Sequence, residues 1–402
     1  MLDSTVFSAV FAHIANSEFL GLNKKDYSFQ FVADLSHKKL LPTTRADSIN
    51  AAIKLRNSLS KFFTDVTYGT EPPFSYRGLK YKPSCLDIEP SIDKAILEHT
   101  ISSLPAQLEP QLTQYALMKN ELQAILLKLN DSSLSASLSL PQRRRKSLLQ
   151  VQHKGLIKTL KELRWLNCLL QSSQQVVVVN IPSATLILFE RSKAVFESKV
   201  IVGKKSTRTP LLSSIAYGVS LYPYWFVPKS IATGELLPHI KKNINYLEEG
   251  NFQVLDQQGQ MINPRNVNWN KLSKDSFPYL IRQSTGCDNS LGLLRINIEN
   301  PYNVYLHDTP AKGLFASENR FYSHGCVRVE KAAELATLLL RENRIAIDTL
   351  CADECLLNKK PVNVQLFSKV PVIILYNTAW FNKENEVKYF FNIYSRSEKS
   401  DN

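Results

Sequence analysis

A chain of 402 residues with 44% hydrophobic and 21% charged side chains is neither wholly disordered, collagenous nor a coiled-coil rod, and its length implies two or three domains. Lysine and arginine outnumber aspartate and glutamate by 49 to 36, a formal charge of +13, which favours an anionic partner such as nucleic acid, lipid head groups or an acidic polymer. Thirteen glycines, under half the usual share of about 7%, disfavour a glycine-rich cofactor cradle, and no run of about 18 apolar residues is present to span a membrane.

The first part reads as helical. Residues 1–17 lack a cationic leader and His13 breaks their apolar stretch, which fits either a cytosolic chain or a trimmed mature form. From Asp47 onward, Ile49, Ala52, Leu59, Phe62 and Val66 recur at helical steps, with Asp47 or Ser48 as N-cap. Residues 68–90 are turn-rich and read as irregular. Leu112, Tyr115, Met118, Leu122, Ile125 and Leu129 form a second stripe behind Pro110. A serine–leucine tract over 131–141 precedes Arg143, Arg144, Arg145 and Lys146. No aromatic platform accompanies these charges, so they read as a solvated linker edge rather than a nucleic-acid patch. A helix over about 147–170 leads into the next domain.

From Val176 the texture turns to β. Runs at 176–181, 185–190, 195–202 and 215–222 are β-branched or aromatic and separated by turn residues. A mixed, partly helical stretch with Trp269 and Tyr279 interrupts them over 230–282, and strands return at 293–298 and 303–306. An amphipathic helix with Val329, Ala332, Ala336 and Leu339 on its buried face follows, and strands at 372–376 and 387–391 close the domain. The expected fold class is α+β: a helical scaffold over 1–130, a linker and helix over 131–171, and a β-rich domain over 172–402. That last part should be an antiparallel sandwich or barrel with 230–285 as a cap.

The chemistry concentrates in Tyr305-Leu-His-Asp-Thr-Pro310 and Ser323-His-Gly-Cys-Val-Arg328. A strand over 303–306 would deliver His307 at its end, and the loop over 323–328 would present Cys326 just before the amphipathic helix. A helix N-terminus lowers a thiol pKa. The glycine ahead of the cysteine lets a substrate carbonyl approach, and adjacent amides form an oxyanion hole. A lone cysteine or histidine is ordinarily structural, but a nucleophile and base delivered together match what covalent catalysis requires.

The pattern of His307 followed by Ser-His-Gly-Cys resembles the YkuD-type L,D-transpeptidase signature. Asn180-Ile-Pro182, Val202-Gly-Lys204 with Thr209-Pro210, and Tyr222-Pro-Tyr-Trp225 with Val227-Pro228 are similar to its larger YcbB-type branch. So are Ser230-Ile-Ala232, Asn289 with Leu291-Gly292, Tyr376-Asn-Thr-Ala-Trp380, and Gly21-Leu-Asn23 with Asp26-Tyr27. The resemblance covers nearly the whole chain; a peptidoglycan-binding module found in such proteins has no room here, and a trimmed form missing its export signal is favoured. It implies a periplasmic or cell-envelope enzyme of a diaminopimelate-containing bacterium, with peptidoglycan tetrapeptide stems as donor and acceptor and cell-wall synthesis proteins as partners. Nucleic acid is not among the implied partners. Cys326 would open the bond between diaminopimelate and D-alanine, forming a thioester resolved as a 3→3 cross-link, or by water or a D-amino acid. No metal or organic cofactor is implied, and carbapenems are the implied inhibitors.

His307 is then the general base, poised near neutral pH, oriented by the Asp308 backbone, with the Asp308 side chain as a further contributor. Ser323, His324 and Gly325 belong to the loop and oxyanion hole, whose amides run through Cys326. Arg328 pairs with a stem carboxylate or fixes the loop as a salt bridge, and Tyr224 and Trp225 lie near the groove. Two rivals are a papain-like endopeptidase, which places cysteine before histidine, and a non-catalytic wall-binding scaffold, against which the intact pair speaks. Cys85, Cys168, Cys287, Cys351 and Cys355 complete six cysteines, too few for a disulfide scaffold. Cys351 and Cys355 lack the histidines of a zinc site.

Overall fold

The computed structural model describes residues 4–37, 39, 43–69, 87–131, 139–286, 288–341 and 359–394. Cys85, Cys287, Cys351, Cys355 and most of the serine–leucine tract lie outside them. Helices α1 (Ser4–Ala15), α2 (Phe29–Ser36), α3 (Arg45–Thr67), α4 (Ile88–Leu97) and α5 (Leu104–Leu108) bury one cluster that includes Val10, Leu55, Phe62, Phe63 and Ile92. The N-cap of α3 is Thr44, not Asp47 or Ser48. Asp47 sits at the third helical position, where its amide donates to the Thr44 hydroxyl and its carboxylate accepts from the Thr44 amide. Ile49, expected inside, is 51% exposed, because the first turns of α3 run past their partners. Ile88, Glu89 and Pro90 open α4 rather than extending an irregular stretch.

Helix α6 (Thr113–Leu129) buries the expected stripe, and α7 (Leu140–Ser172) packs beside it. Helix α7 begins well before residue 147. The Gln142 carboxamide accepts from the Ser139 amide, so the Arg143–Lys146 run lies in the opening turns of a helix about 50 Å long. Toward its end α7 is buried on all sides, as expected of a helix enclosed in protein. There Arg164 is fully buried and donates to Tyr115 Oη at 2.9 and 3.2 Å and to the Leu20 carbonyl. Cys168, also buried, is disulfide-bonded.

Nine strands form the main sheet: β1 (Gln175–Asn180), β2 (Thr185–Glu190), β3 (Lys193–Gly203), β4 (Leu212–Leu221), β9 (Leu294–Ile298), β10 (Leu306–His307), β11 (Phe321–Ser323), β12 (Val327–Val329) and β13 (Val362–Leu375). Their order is β11-β3-β12-β10-β9-β4-β13-β1-β2, and a further β2–β3 pairing closes the sheet on itself. The sheet is mixed rather than antiparallel: β1–β13, β10–β12 and β3–β11 run parallel. The inner cluster takes Val177 and Val179 of β1 together with Leu335 and Leu339 of α11 (Ala332–Leu340). Val176 and Val178 face the other way, into the cluster of α6 and α7. Both faces of β1 are covered, which is why its apolar run is unbroken.

Helix α7 is therefore built into the β-rich half rather than linking to it. Lys158 Nζ donates to the Tyr376 carbonyl at 2.6 Å, Thr159 Oγ1 to the Ala379 carbonyl at 2.8 Å, and Asn377 Nδ2 to Glu162 at 2.8 Å. The Tyr376–Trp380 motif and Asn180 serve this seam: Asn377 N donates to Asn180 Oδ1, and Trp380 is fully buried. Strands β14 (Ala379–Phe381) and β15 (Val387–Tyr389) complete it as a separate hairpin.

The cap is a unit with its own core. Strands β5 (Trp225–Phe226), β6 (Phe252–Leu255), β7 (Met261–Ile262) and β8 (Leu280–Gln283) pair in the order β5-β8-β6-β7. Helices α8 (Lys229–Ile231), α9 (Leu237–Lys242) and α10 (Tyr246–Glu249) close over Val254, Trp269 and Ile281. Its first strand begins before residue 230.

A fragment starting at Ser172 would expose Val176, Val178, Ile187, Ile373 and Trp380. Burial of each such side chain is worth about 1.5–3 kcal/mol, so this fragment should aggregate or melt without a cooperative transition. A soluble 172–402 fragment with the parent's melting behaviour would contradict the role given to α7.

Candidate active site

Strand β10 is only Leu306–His307, so the expected strand over 303–306 is confined to its end, where His307 sits. The turn ahead of it is organised by Asn300, whose Oδ1 accepts from the Tyr302 and Val304 amides and whose Nδ2 donates to the Ile298 and Val304 carbonyls. β10 pairs in parallel with β12, Leu306 opposite Val327 and His307 opposite Arg328. Cys326, immediately before β12, is thereby carried to the level of Tyr305 and onto the face that presents His307.

The His307 ring is almost fully buried, and its Nδ1–H donates to the Asp308 carbonyl at 2.6 Å. A carbonyl only accepts, so the proton is on Nδ1 and the Nε2 lone pair is left for a thiol proton. Burial pushes the imidazole pKa down to about 4, with Arg328 adding to the fall and the Asp308 carbonyl opposing it. The expectation of a base poised near neutral pH is corrected accordingly: desolvation outweighs the hydrogen bond. The Asp308 carboxylate is directed elsewhere, accepting from the Leu293 amide at 3.0 Å and pairing with Lys312. Gly292, at φ +64, lies so close to that carboxylate that no side chain would fit there.

Cys326 is partly exposed, its Sγ 3.7 Å from the Asn303 carbonyl. It does not sit at a helix start. Strand β12 follows it, α11 begins only at Ala332, and Val329 belongs to the strand. A helix macrodipole acts over about its first turn, so it does not reach the sulfur. Burial pushes the thiol pKa up, against the Tyr305 backbone and the Arg328 and Arg295 charges, which pull it down. Cysteine and histidine are both neutral at rest.

The loop before Cys326 is held from below. Ser323, buried, donates to the Cys326 carbonyl, and its hydroxyl accepts from the Gly325 amide at 3.1 Å. That bond takes the Gly325 amide out of the expected oxyanion set, leaving those of His324 and Cys326. Gly325 has φ +118, which only glycine adopts readily. Thr209 Oγ1 donates to its carbonyl at 2.9 Å and Thr207 Oγ1 to the Ser323 carbonyl at 2.9 Å. Tyr394 clamps the same turn by donating to the Gly203 carbonyl. Sequence reasoning missed Thr207 and Tyr394; the threonines flanking Gly203-Lys-Lys-Ser-Thr207 were the available signal.

His324 faces the cap, its Nε2 2.7 Å from Glu235 Oε1. Arg328, largely buried, has no acidic partner among the described residues; the one group raising its pKa is Cys326. Among the described residues no salt bridge at Arg328 fixes the loop, which favours the alternative of an external carboxylate. Tyr224 lies under Arg282, 4.2 Å from ring centre to guanidinium, and Trp225 packs with Phe252 in the cap. These contacts tie both residues to the cap.

Residues 174–364 match the YkuD family, the L,D-transpeptidase catalytic domain, and residues 3–122 match the Scaffold domain. A Haemophilus influenzae protein named "Putative L,D-transpeptidase" is 38% identical over 211 residues, covering 52% of this chain and 42% of that protein. The chain thus matches under half the length of this relative. Among solved structures, an L,D-transpeptidase from Mycobacterium smegmatis aligns with 13% identity and a TM-score of 0.24, over 50% of this chain and 58% of that one. L,D-transpeptidase 1 of Mycobacterium tuberculosis aligns with 13% identity and a TM-score of 0.20, over 50% and 61%.

A neutral pair has a pH signature. Alkylation of Cys326 by iodoacetamide, followed by peptide mapping, should track the thiolate and still be rising above about pH 8.5. Below that pH the raised thiol pKa keeps the sulfur protonated, and His307 holds no proton until pH falls toward 4. A rate already on a plateau between pH 6 and 8 would reveal a preformed thiolate–imidazolium pair and contradict this electrostatic account.

Proposed function

We propose that this chain, which carries the L,D-transpeptidase catalytic domain of the YkuD family, cross-links peptidoglycan stems through an acyl-enzyme on Cys326. The observation that carries this reading is the parallel β10–β12 pairing, which brings the Nδ1-protonated His307 and the Cys326 loop to one face. Cys326 Sγ attacks the diaminopimelate carbonyl of a tetrapeptide stem as its proton passes to His307 Nε2. The amides of His324 and Cys326 hold the oxyanion. His307 returns the proton to the departing nitrogen, the C–N bond breaks, D-alanine leaves and a thioester remains. The side-chain amine of a second stem's diaminopimelate then attacks the thioester, losing a proton to His307 and restoring the thiol, to give a 3→3 link. Water in place of the amine gives carboxypeptidase action, and a D-amino acid gives exchange.

The match to the Scaffold domain supports the YcbB-like branch, with the helical part placing the catalytic half among cell-wall synthesis proteins. No helix among the described residues is long and apolar enough to cross a membrane. The disulfide at Cys168 supports an oxidising envelope compartment such as the periplasm. Carbapenems would acylate Cys326 by the same attack on a strained amide.

Purified disaccharide-tetrapeptide incubated with the protein should yield a dimer lighter by one D-alanine, seen by mass spectrometry. Cys326→Ala should form no product while keeping the parent's melting temperature. His307→Ala should acylate at least about a hundredfold more slowly, the scale of a lost general base. Tripeptide without dimer would move the acceptor to water, and D-alanine release by the Cys326→Ala protein would remove the nucleophile assignment.

A further inference from the structure

Strand alternation sends Leu294, Ile296, Leu306, Val327 and Val329 into the sheet's core and turns the residues between them to the opposite face. On that face three side chains line up across three adjacent strands. His307 of β10 is in register with Arg295 of β9 on one side and with Arg328 of β12 on the other. Tyr305 and Cys326 occupy the neighbouring row, two residues earlier on their own chain segments. A guanidinium-bearing residue therefore stands on each side of the histidine, one strand spacing of about 4.8 Å away.

Two like charges astride a buried neutral ring repel each other and call for an anion between them. The chain does not supply it among the described residues. Asp308, the acid next to His307, is committed to Lys312 and to the Leu293 amide. The Arg295 guanidinium rests 4.7 Å from the Tyr305 ring centre, and its buried Nε has no hydrogen-bond acceptor. Arg328 is likewise without an acidic partner among the described residues.

We propose that Arg295 and Arg328 form a carboxylate clamp astride His307, which takes the C-terminal carboxylate of the residue being expelled. The clamp rests on the reading of Cys326 and His307 as an acyl-transfer pair. His307 must hand the former thiol proton to the departing nitrogen, so that nitrogen lies within hydrogen-bonding reach of the ring. The carboxylate is one carbon further on, which sets it at the level of the residues flanking His307 across the strands. As the C–S bond forms and the C–N bond breaks, the carboxylate keeps its charge and serves only as a handle. Arg295 is thus a specificity residue: it selects donors that end one residue past the scissile bond. A guanidinium suits this because it offers paired N–H donors to a carboxylate.

Acylation kinetics with two donors test the clamp: a tetrapeptide stem with a free C-terminal carboxylate, and the same stem as its C-terminal carboxamide. The parent protein should prefer the carboxylate donor at least about tenfold in kcat/KM, as loss of a charge-assisted hydrogen bond implies. Arg295→Gln should lose the carboxylate preference, falling about tenfold or more on the carboxylate donor relative to the carboxamide, chiefly through KM. Any effect of its charge on Cys326 falls on both donors alike, and an unchanged melting temperature verifies that the variant is folded. Arg295→Lys should recover part of the preference. An Arg295→Gln protein slowed equally on both donors, or a parent indifferent to the carboxylate, overturns the clamp and leaves the proposed function standing. A parent acylated by neither donor overturns that function and the clamp with it.

Discussion

The parallel pairing of Leu306–His307 with Val327–Arg328 is the contact on which the site depends. Neither strand is long, and each is held mainly by what flanks it. β10 also pairs antiparallel with β9, while β12 is bound on its other side by β3. A slip of one residue would exchange His307 for Leu306 and put an imidazole in the apolar core. The register is protected by that penalty, and by the Asn300 turn that fixes where β10 begins.

From this pairing follows the electrostatic character of the pair. A histidine deep enough to be oriented by the adjacent Asp308 carbonyl is also deep enough to lose its charge, so a neutral base and a protonated thiol result from one placement. On the proposed reading the thiol would be activated by proton transfer during attack, not by a standing thiolate. The supporting shell has the same economy of parts. Ser323 uses its hydroxyl to fix both the Cys326 carbonyl and the Gly325 amide, while Thr207 and Thr209 hold the loop from the neighbouring turn. Helix α7 supports all this at a distance by covering the second face of β1 and β13.

That His307 and the Ser323–Cys326 loop belong together was legible in the sequence because each lies in a compact motif, and the β10–β12 pairing brings the two motifs to one face. The helical first half and the β-rich second half were equally plain from periodicity. The place of Cys326 was misread for a definable reason. Val329, Ala332, Ala336 and Leu339 keep helical spacing even though Val329 ends a strand, so the stripe ran across the boundary. The start of α7 was hidden by a proline and four cations that resemble a linker, although Ser139 and Gln142 carried a capping signal. The row formed by Arg295, His307 and Arg328 had no local signature, because it exists only through the register of strands distant in sequence.

The central claim is that the fold holds His307 neutral, with its proton on Nδ1 and its Nε2 free beside the Cys326 loop. Nitrogen-15 spectroscopy of the histidine-labelled protein, with His307 assigned by comparison with the His307→Ala protein, measures this directly. The account predicts one protonated and one bare ring nitrogen at pH 7, unchanged as the solution is acidified until the ring titrates at about pH 4. A His307 ring carrying protons on both nitrogens at pH 7, or titrating near the ordinary value of about 6.5, would contradict it.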